Sequence, residues 1–193
     1  MSKKIIMLSG KKQSGKDTAA KYLIGNFNFY RIGLADELKK DCAKILYSCF
    51  AINVSSQSFE SEVLKSQIID IEHNTKKCTY RKFLQYYGTE FIRNLFDDSY
   101  WAKIVCEKIR IYRNEDNFVI PDFRFQNEYD TIYNEFKDKY QIIPVLIQRD
   151  VKTDQDSSHS SENSLEEFLF DHVIDNNGTI KELHEKIDNI MRG

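Results

Sequence analysis

Short apolar runs alternate along this chain with longer segments whose apolar residues recur at helical spacing. Strand and helix patterns therefore follow one another from the beginning of the chain to its end. This order predicts an α/β fold with three layers, in which a parallel sheet of about five strands has helices on both faces. The predicted strands lie at residues 3–9, 27–34, 117–121, 142–147 and 172–174.

The first strand is followed directly by a glycine-rich loop, which leads into a helix pattern at 19–24. The loop reads G-K-K-Q-S-G-K-D-T. Strand, glycine loop and helix in this order are what a phosphate-binding loop requires, since glycines let backbone N–H groups turn inward and the helix N-terminus adds partial positive charge. Lys16 adds a full charge. We expect a triphosphate to bind at Gly10, Ser14, Gly15, Lys16, Asp17 and Thr18, and the family resemblance given below implies that it is ATP.

Asp17 stands where the usual motif has a Ser or Thr that holds magnesium. We expect Thr18 to serve the phosphate, and Asp17 to bind Mg2+ directly or through water. The alternative is a loop rich in glycine and lysine that binds no ligand. The strand before the loop and the helix after it make that alternative less favourable.

Two later strands also end in polar residues. The second leads into A-D-E-L-K, where Asp36 is a helix N-cap or, equally, a substrate contact, and Lys39 is a weaker candidate. The third leads into P-D-F-R, at the edge where open α/β sheets bind ligands. Asp122 is a candidate for magnesium or substrate and Arg124 for phosphate, with a salt bridge between the two as the alternative.

The segment that starts at Thr79 has the pattern of an amphipathic helix. Arg81, Gln85 and Gly88 recur at i, i+4 and i+7, which places a guanidinium, an amide and bare backbone along one stripe. This stripe suits a phosphate, a base edge and a sugar, while a solvated polar face is the alternative. A glycine within a helix costs about 1 kcal/mol relative to Ala, which favours close approach by another group. Trp101 is a core residue by default and a candidate for lining a base pocket.

Two segments have weaker patterns. Residues 51–77 are mostly polar and predict a helix inside a mobile, partly exposed insert. Residues 148–163 contain few apolar side chains and predict a lid that orders on ligand binding. Arg149, at the root of this lid, is the basic residue best placed to reach a phosphate. His159 has no partner at metal-ligand spacing, so we expect it to form hydrogen bonds within the lid.

Composition limits the classes of function. The chain has 193 residues, 41% of them hydrophobic, which suits one domain with a substantial core. Its formal net charge of -2 provides no basic field for a nucleic-acid polymer or an anionic membrane. Four cysteines without C-x-x-C spacing, no secretory segment and no apolar run near ~18 residues predict a soluble cytoplasmic protein with reduced thiols.

Seven motifs together resemble the deoxynucleoside monophosphate kinase family of bacteriophages and related genomes, in that family's order and over nearly the whole chain. The glycine loop is shared by many NTPases, whereas R-x-x-x-Q-x-x-G-T-[DE] followed by Trp and P-D-x-R is more specific. The seven are L-S-G-K-K-Q-S-G-K-D-T, L-A-D-E-L-K, R-K-F-L-Q-Y-Y-G-T-E, the Trp101 region, V-I-P-D-F-R-F-Q-N-E, H-S-S-E and D-N-N-G-T-I-K-E-L.

The resemblance implies a P-loop NTPase-type fold and transfer of the γ-phosphoryl group of ATP to a dNMP, giving a dNDP for DNA synthesis. It implies a single kinase domain at 1–193, with a substrate-binding helical region at 51–113 and the lid at 148–163, and it suggests homodimers. The lid has fewer basic residues than such kinases often show, and the insert 51–77 matches none of the family's motifs.

Residue by residue, the resemblance implies that Lys12 also faces the acceptor phosphate. Lys16, Arg124 and Arg149 would support the transferring group. Asp36 and Lys39 remain candidate substrate contacts. The monophosphate would be bordered by Arg81, Gln85, Gly88, Thr89, Trp101 and Asp122.

The chemistry of phosphoryl transfer agrees with this set of residues. A nucleoside monophosphate has a second pKa of about 6, so its phosphate is largely a dianion at neutral pH and needs no general base. In-line positioning and cations are required instead. Two alternatives stay open: a related kinase acting on another phosphorylated metabolite, such as phosphomevalonate or dephospho-coenzyme A, and a nucleotide-dependent interaction protein.

Overall fold

The computed structural model describes residues 3–72, 75–112, 117–150 and 168–192. They form two compact units, Met1–Gly33 with Val105–Gly193, and Leu34–Ile104. We call the first the sheet unit and the second the helical unit. Each has its own cluster of buried apolar side chains. Most of the predicted lid, including His159, lies outside the described residues.

The sheet unit contains five parallel strands in the order β2-β3-β1-β4-β5. The predicted strands and their parallel arrangement are confirmed. β2 is shorter than the predicted 27–34, because the preceding helix continues to Phe27 and ends at Asn28, whose φ of 54° is left-handed. The strands are β1 Lys4–Ser9, β2 Phe29–Arg31, β3 Asn117–Ile120, β4 Gln141–Gln148 and β5 His172–Asp175.

Helices cover both faces of this sheet. Side chains alternate along a strand, so Val119 of β3 and its neighbour Phe118 face opposite layers. Val119 packs in the cluster that includes α1 (Lys16–Phe27) and α7 (Ile180–Arg192). Phe118 contacts the ring of Tyr140, which in turn contacts Phe136 at the end of α6 (Gln126–Phe136). The predicted three-layer α/β fold is therefore confirmed.

The helical unit packs around six buried side chains. Its elements are α2 Ala35–Phe50, a 3-10 helix Ser56–Glu60, α3 Glu62–Ser66, α4 Tyr80–Gln85, a π-helix Tyr86–Arg93 and the beginning of α5, Tyr100–Ile111. The buried residues are Cys42, Leu46, Phe59, Ile69, Tyr80 and Leu84. None of the helices in the described ranges is both long and apolar enough to cross a membrane.

The helix predicted inside the insert 51–77 is present as α3, and the 3-10 helix precedes it. Phe59 in the 3-10 helix and Ile69 after α3 anchor the insert in the core at 0% and 3% exposure, whereas Val63 of α3 is 70% exposed. After α3 the chain returns on itself, since the Ile69 N–H donates to the Cys78 carbonyl. Two short helical segments and a turn thus place Phe59 and Ile69 in the core of the helical unit.

The helix predicted from Thr79 changes type after Gln85. In the π-helix the hydrogen bonds span one residue more than in an α-helix, as between the Asn94 N–H and the Thr89 carbonyl. The wider turn changes the direction of every side chain that follows. The prediction of one continuous α-helix is therefore wrong, and Gly88 does not continue the stripe that Arg81 and Gln85 begin on α4.

Candidate active site

The site in the sheet unit lies where the order of the strands changes direction. β3 and β2 are on one side of β1, while β4 and β5 are on the other. Open α/β sheets bind ligands at the carboxyl ends of the strands at such a point. Gly10 follows β1, Asp122 follows β3 closely, and Arg149 follows β4. The three predicted segments therefore share this edge of the sheet.

The loop after β1 requires glycine at two positions. The backbone has φ of +141° at Gly10 and +108° at Gly15, a region that side-chain-bearing residues rarely adopt. A Cβ on Gly10 would lie 2.2 Å from the carbonyl oxygen of Ile147 in β4, and one on Gly15 would lie 2.3 Å from Nδ2 of Asn176. The loop is thus enclosed by β4 on one side and by the residue after β5 on the other.

Lys16 is the first residue of α1, and its ammonium is held against the loop. Its Nζ donates to the carbonyl oxygens of Gly10 at 2.6 Å and Lys11 at 2.7 Å. Gly15 is the N-cap of α1 and has no side chain with which to cap the helix. The partial positive charge of the helix start and the full charge of Lys16 therefore act side by side, as anion binding requires.

Ser14 provides a buried hydroxyl within the same loop. It is 0% exposed, and its Oγ has no hydrogen-bond partner among the described residues. A Cβ on Gly10 would come within 2.7 Å of this oxygen, which is a further reason for glycine there. Buried hydroxyls nearly always form hydrogen bonds, and a phosphate oxygen is a suitable partner.

The residues near the start of α1 fit a magnesium ion that is held mainly by phosphates. Asp17 is exposed in the first turn of α1, and Thr18 is half-buried beside it. Within the described ranges, no group of three His, Cys, Asp or Glu side chains is arranged to hold a metal. Mg2+ typically takes one or two protein carboxylates together with substrate phosphates and water, so a single carboxylate at Asp17 suits it.

The segment after β3 is fixed by a glutamate that the sequence analysis missed. Glu128 is 4% exposed, and its Oε2 accepts hydrogen bonds from the backbone N–H groups of Arg124 at 2.8 Å and Phe125 at 3.0 Å. The N–H of Phe123 donates to the carbonyl of Leu8, which joins this segment to the end of β1. A glutamate six residues after Asp122, at the third position of α6, was the available signal of a capping box.

Asn176 is a second residue whose role the sequence analysis missed. It is 7% exposed, its Nδ2 donates to the carbonyl oxygen of Ser14 at 2.7 Å, and its N–H donates to the carbonyl of Gln148. Three residues later Thr179 caps α7, because its Oγ1 accepts a hydrogen bond from the N–H of Glu182.

Two basic candidates in the helical unit form ion pairs with nearby glutamates. Arg81 contacts Glu62 at 2.6 Å, and Lys39 contacts Glu60 at 2.6 Å. Both side chains of the Arg81 pair are exposed, and an exposed pair contributes about 0–1 kcal/mol, so a phosphate dianion competes with it on favourable terms. The Lys39 side chain is 14% exposed, so its pair is more enclosed. Contacts of either residue with substrate stay predictions.

Gly88 and Trp101 contact each other inside the helical unit. The indole Nε1 of Trp101 donates to the Gly88 carbonyl at 3.1 Å, and Trp101 is 4% exposed. A Cβ on Gly88 would lie 2.9 Å from Cδ2 of Leu38. The close approach that the sequence indicated at Gly88 is therefore made by the protein's own side chains, and Trp101 has the environment of a core residue.

The remaining candidates lie at the surface or near it. Leu34 already has helical φ and ψ, so α2 begins before Asp36, and the prediction of an N-cap at Asp36 is wrong. Gln85 and Thr89 are half-buried in the helical unit, while Lys12 is exposed in the glycine loop. Their contacts with a substrate stay predictions.

Comparison with known proteins identifies the relatives of this chain. The model of the deoxynucleotide monophosphate kinase family matches residues 4–72 and 44–187. A protein of Acanthamoeba polyphaga mimivirus, to which the same name is given provisionally, is 32% identical over 95% of this chain and 93% of its own. The deoxynucleotide monophosphate kinase of Enterobacteria phage T4 is 24% identical over 98% of this chain and 99% of its own.

Solved structures with little sequence identity share the fold. The Mycobacterium tuberculosis APS kinase CysC, in complex with AMPPNP and APS, has a TM-score of 0.52 at 8% identity and full coverage of both chains. Shikimate kinase from Acinetobacter baumannii has a TM-score of 0.50 at 11% identity, covering 100% of this chain and 94% of its own. The fold is that of P-loop kinases, and the chain belongs to the deoxynucleotide monophosphate kinase family.

Proposed function

We propose that this protein transfers the γ-phosphoryl group of ATP to a deoxynucleoside monophosphate, producing ADP and a dNDP. The observation that carries this proposal is the loop after β1, where Lys16 is fixed beside an uncapped helix start at the switch point of a parallel sheet. Membership of the kinase family supports the same reaction.

In this mechanism the sheet unit binds the donor. Backbone N–H groups of the loop, the start of α1 and the Lys16 ammonium offset the negative charge of the β- and γ-phosphates as the γ-phosphoryl group leaves. Glu128 fixes the backbone at Arg124, so that the residue is held just after the carboxyl end of β3, and its guanidinium supplies a cation for the transferring group. Arg149, just after β4, supplies a second cation for the transferring group.

The acceptor needs orientation and charge neutralisation. At neutral pH its phosphate is largely a dianion, which attacks without the help of a general base. We assign its binding to the helical unit, with Arg81 as the main cation and Gln85 and Thr89 as hydrogen-bonding groups. Lys12 of the glycine loop and Asp122 complete the proposed set. Asp17 would hold a Mg2+ ion, which neutralises phosphate charge when it arrives with the nucleotide.

The relatives favour a deoxynucleotide as acceptor. The proteins of phage T4 and phage RB69 are named deoxynucleotide monophosphate kinases, and they match 98% and 97% of this chain. A kinase acting on phosphomevalonate or dephospho-coenzyme A is therefore the weaker alternative. A nucleotide-dependent interaction protein is a still weaker alternative, because it would bind a nucleotide without an acceptor, whereas the relatives are named as kinases of an acceptor nucleotide. Homodimer formation and a cytoplasmic location remain part of the proposal.

A coupled assay of ADP release tests this function. We expect ATP with one or more of the four dNMPs to produce ADP at a rate far above that of ATP alone. The same panel contains the ribonucleoside monophosphates, phosphomevalonate and dephospho-coenzyme A as competing acceptors. Stimulation by phosphomevalonate or dephospho-coenzyme A alone would overturn the acceptor, and ATP binding without any acceptor-dependent turnover would support the interaction protein instead.

A further inference from the structure

The amide side chain of Asn176 is bonded to the backbone of the phosphate-binding loop. Its Nδ2 donates to the carbonyl oxygen of Ser14 at 2.7 Å, in a buried setting. The N–H of Asn176 donates to the carbonyl of Gln148 at the end of β4, so its own backbone is fixed as well. Asn176 therefore connects the ends of β4 and β5 to one particular peptide group of the loop.

That peptide group, between Ser14 and Gly15, needs an external contact to hold its orientation. Its carbonyl and its N–H point in opposite directions, because the peptide is planar and trans. Gly15 has no Cβ to restrict rotation, and glycine adopts positive and negative φ about equally well, so its φ of +108° is not fixed by the residue itself. If the peptide turned over, the Ser14 carbonyl would replace the Gly15 N–H and repel a phosphate.

We propose that Asn176 is a positioning residue for the donor phosphates. By holding the Ser14 carbonyl, it keeps the Gly15 N–H directed away from Asn176 and available to an anion. The proposal rests on the assignment of this loop to ATP binding. It also accounts for a second feature of Gly15, since a Cβ there would lie 2.3 Å from the Asn176 Nδ2.

An asparagine suits this position better than residues of similar size. Aspartate has nearly the same shape, but its carboxylate oxygens would face the Ser14 carbonyl and repel it. Leucine would fill the space without donating a hydrogen bond. Because Asn176 is 7% exposed, water has little access to replace the lost donor.

The test compares Asn176→Asp and the smaller Asn176→Ser with Asn26→Ala. Asn26 is a matched control, because its Nδ2 also donates to a backbone carbonyl, that of Tyr22, but on the exposed face of α1. It lies about 15 Å along the helix axis from Lys16. For each variant, the affinities for Mg-ATP, for tripolyphosphate and for the preferred dNMP are measured by calorimetry, together with the melting temperature.

We expect both Asn176 variants to bind Mg-ATP and tripolyphosphate roughly tenfold more weakly, which is the effect of losing one well-formed hydrogen bond. Affinity for the dNMP should stay within about twofold of wild type, and Asn26→Ala should change none of the three. The loss for tripolyphosphate is the discriminating result, since this ligand carries phosphates and no nucleoside.

Three results have distinct meanings. Wild-type affinity for Mg-ATP in a folded Asn176→Asp or Asn176→Ser protein would overturn the positioning role. Equal losses for all ligands, with a large fall in melting temperature, would also overturn it in favour of general stabilisation. Failure of the wild-type protein to bind Mg-ATP would instead refute the proposed function of the loop.

Discussion

At the scale of single residues, the conformation of the phosphate-binding loop depends on two positions that have no side chain. Gly10 and Gly15 occupy backbone conformations and spaces that no Cβ fits, while Ser14 between them is fully buried. Lys16 then closes the loop on itself through two carbonyl oxygens. The cation is thus held in place by the backbone that would also bind the phosphates, and its removal should affect chemistry more than folding.

We expect Lys16→Ala to lower turnover by several orders of magnitude while changing the melting temperature little. A phosphate-facing cation stabilises charge that develops in the transition state, whereas its bonds to two carbonyls of the loop, one of them exposed, add little to stability. Steady-state rates and thermal melts measure the two effects. Lys21→Ala, an exposed lysine on the same helix, is the control. Wild-type turnover in Lys16→Ala would show that the loop does not take part in catalysis.

We expect Gly10→Ala to weaken ATP binding severely and to lower the free energy of unfolding. The new Cβ would meet the backbone oxygen of Ile147 at 2.2 Å, and alanine disfavours a φ of +141°. Gly25→Ala in α1 is the matched control, because nothing lies within 4 Å of its added Cβ. That change should raise the free energy of unfolding by about 0.5–1 kcal/mol. Equal behaviour of the two variants in chemical denaturation would contradict this account.

At the scale of elements, the sequence predicted the sheet well and the helical unit poorly. The strands of the sheet are continuous apolar runs such as Ile5 to Leu8, because burial on both faces leaves no polar positions. The π-helix has no comparable signal, and the contacts made within it are those of Gly88 with Leu38 and with the Trp101 indole. Both contacts join segments distant in sequence, which periodicity does not register.

In the candidate site, too, the sequence predicted some residues and missed others. The residues of the glycine loop were predictable, because strand, loop and helix are adjacent in the sequence. Glu128 and Asn176 were missed as functional residues, since each acts through a hydrogen bond to backbone elsewhere in the fold. Glu128 stands four residues after Arg124, and Asn176 stands 162 residues after Ser14. A polar side chain that hydrogen-bonds to the backbone does not lie at a fixed sequence spacing from its partner, so the sequence does not identify that partner.

Glu128 connects two elements, because its carboxylate binds the backbone between the end of β3 and the start of α6. We expect Glu128→Ala to lower the free energy of unfolding by about 1–3 kcal/mol, since the N–H groups of Arg124 and Phe125 lose their acceptor. Turnover should also fall, because the backbone at Arg124 is no longer fixed. Urea denaturation and steady-state rates measure the two effects.

Two further variants separate the Glu128 hydrogen bonds from its charge. Glu128→Gln keeps an acceptor oxygen and should recover most of the stability. Glu135 lies on α6, as Glu128 does, and forms an exposed ion pair with Arg110. Glu135→Ala should lower the free energy of unfolding by less than about 1 kcal/mol. If Glu128→Ala were no less stable than Glu135→Ala, the carboxylate would not be what fixes this segment.

At the scale of the whole molecule, the two units have separate cores and separate candidate roles. The sheet unit contains the loop with Lys16, and the helical unit contains Arg81 on α4. If the helical unit binds only the acceptor, a substitution at Arg81 should alter the kinetics of the dNMP and leave those of ATP nearly unchanged. Arg81 is the most informative residue for this test, because its pairing with Glu62 is exposed.

We expect Arg81→Ala to raise the KM for the dNMP by about ten- to a hundredfold and the KM for ATP by less than about threefold. A charged hydrogen bond to a phosphate contributes about 1.5–3 kcal/mol, and tenfold in affinity corresponds to about 1.4 kcal/mol. Lys82→Ala, an exposed cation next in sequence, should change neither value appreciably. Initial rates over a grid of both substrate concentrations give the two constants. Equal increases in both would place Arg81 outside the acceptor site and remove the main evidence for a division of substrates between the units.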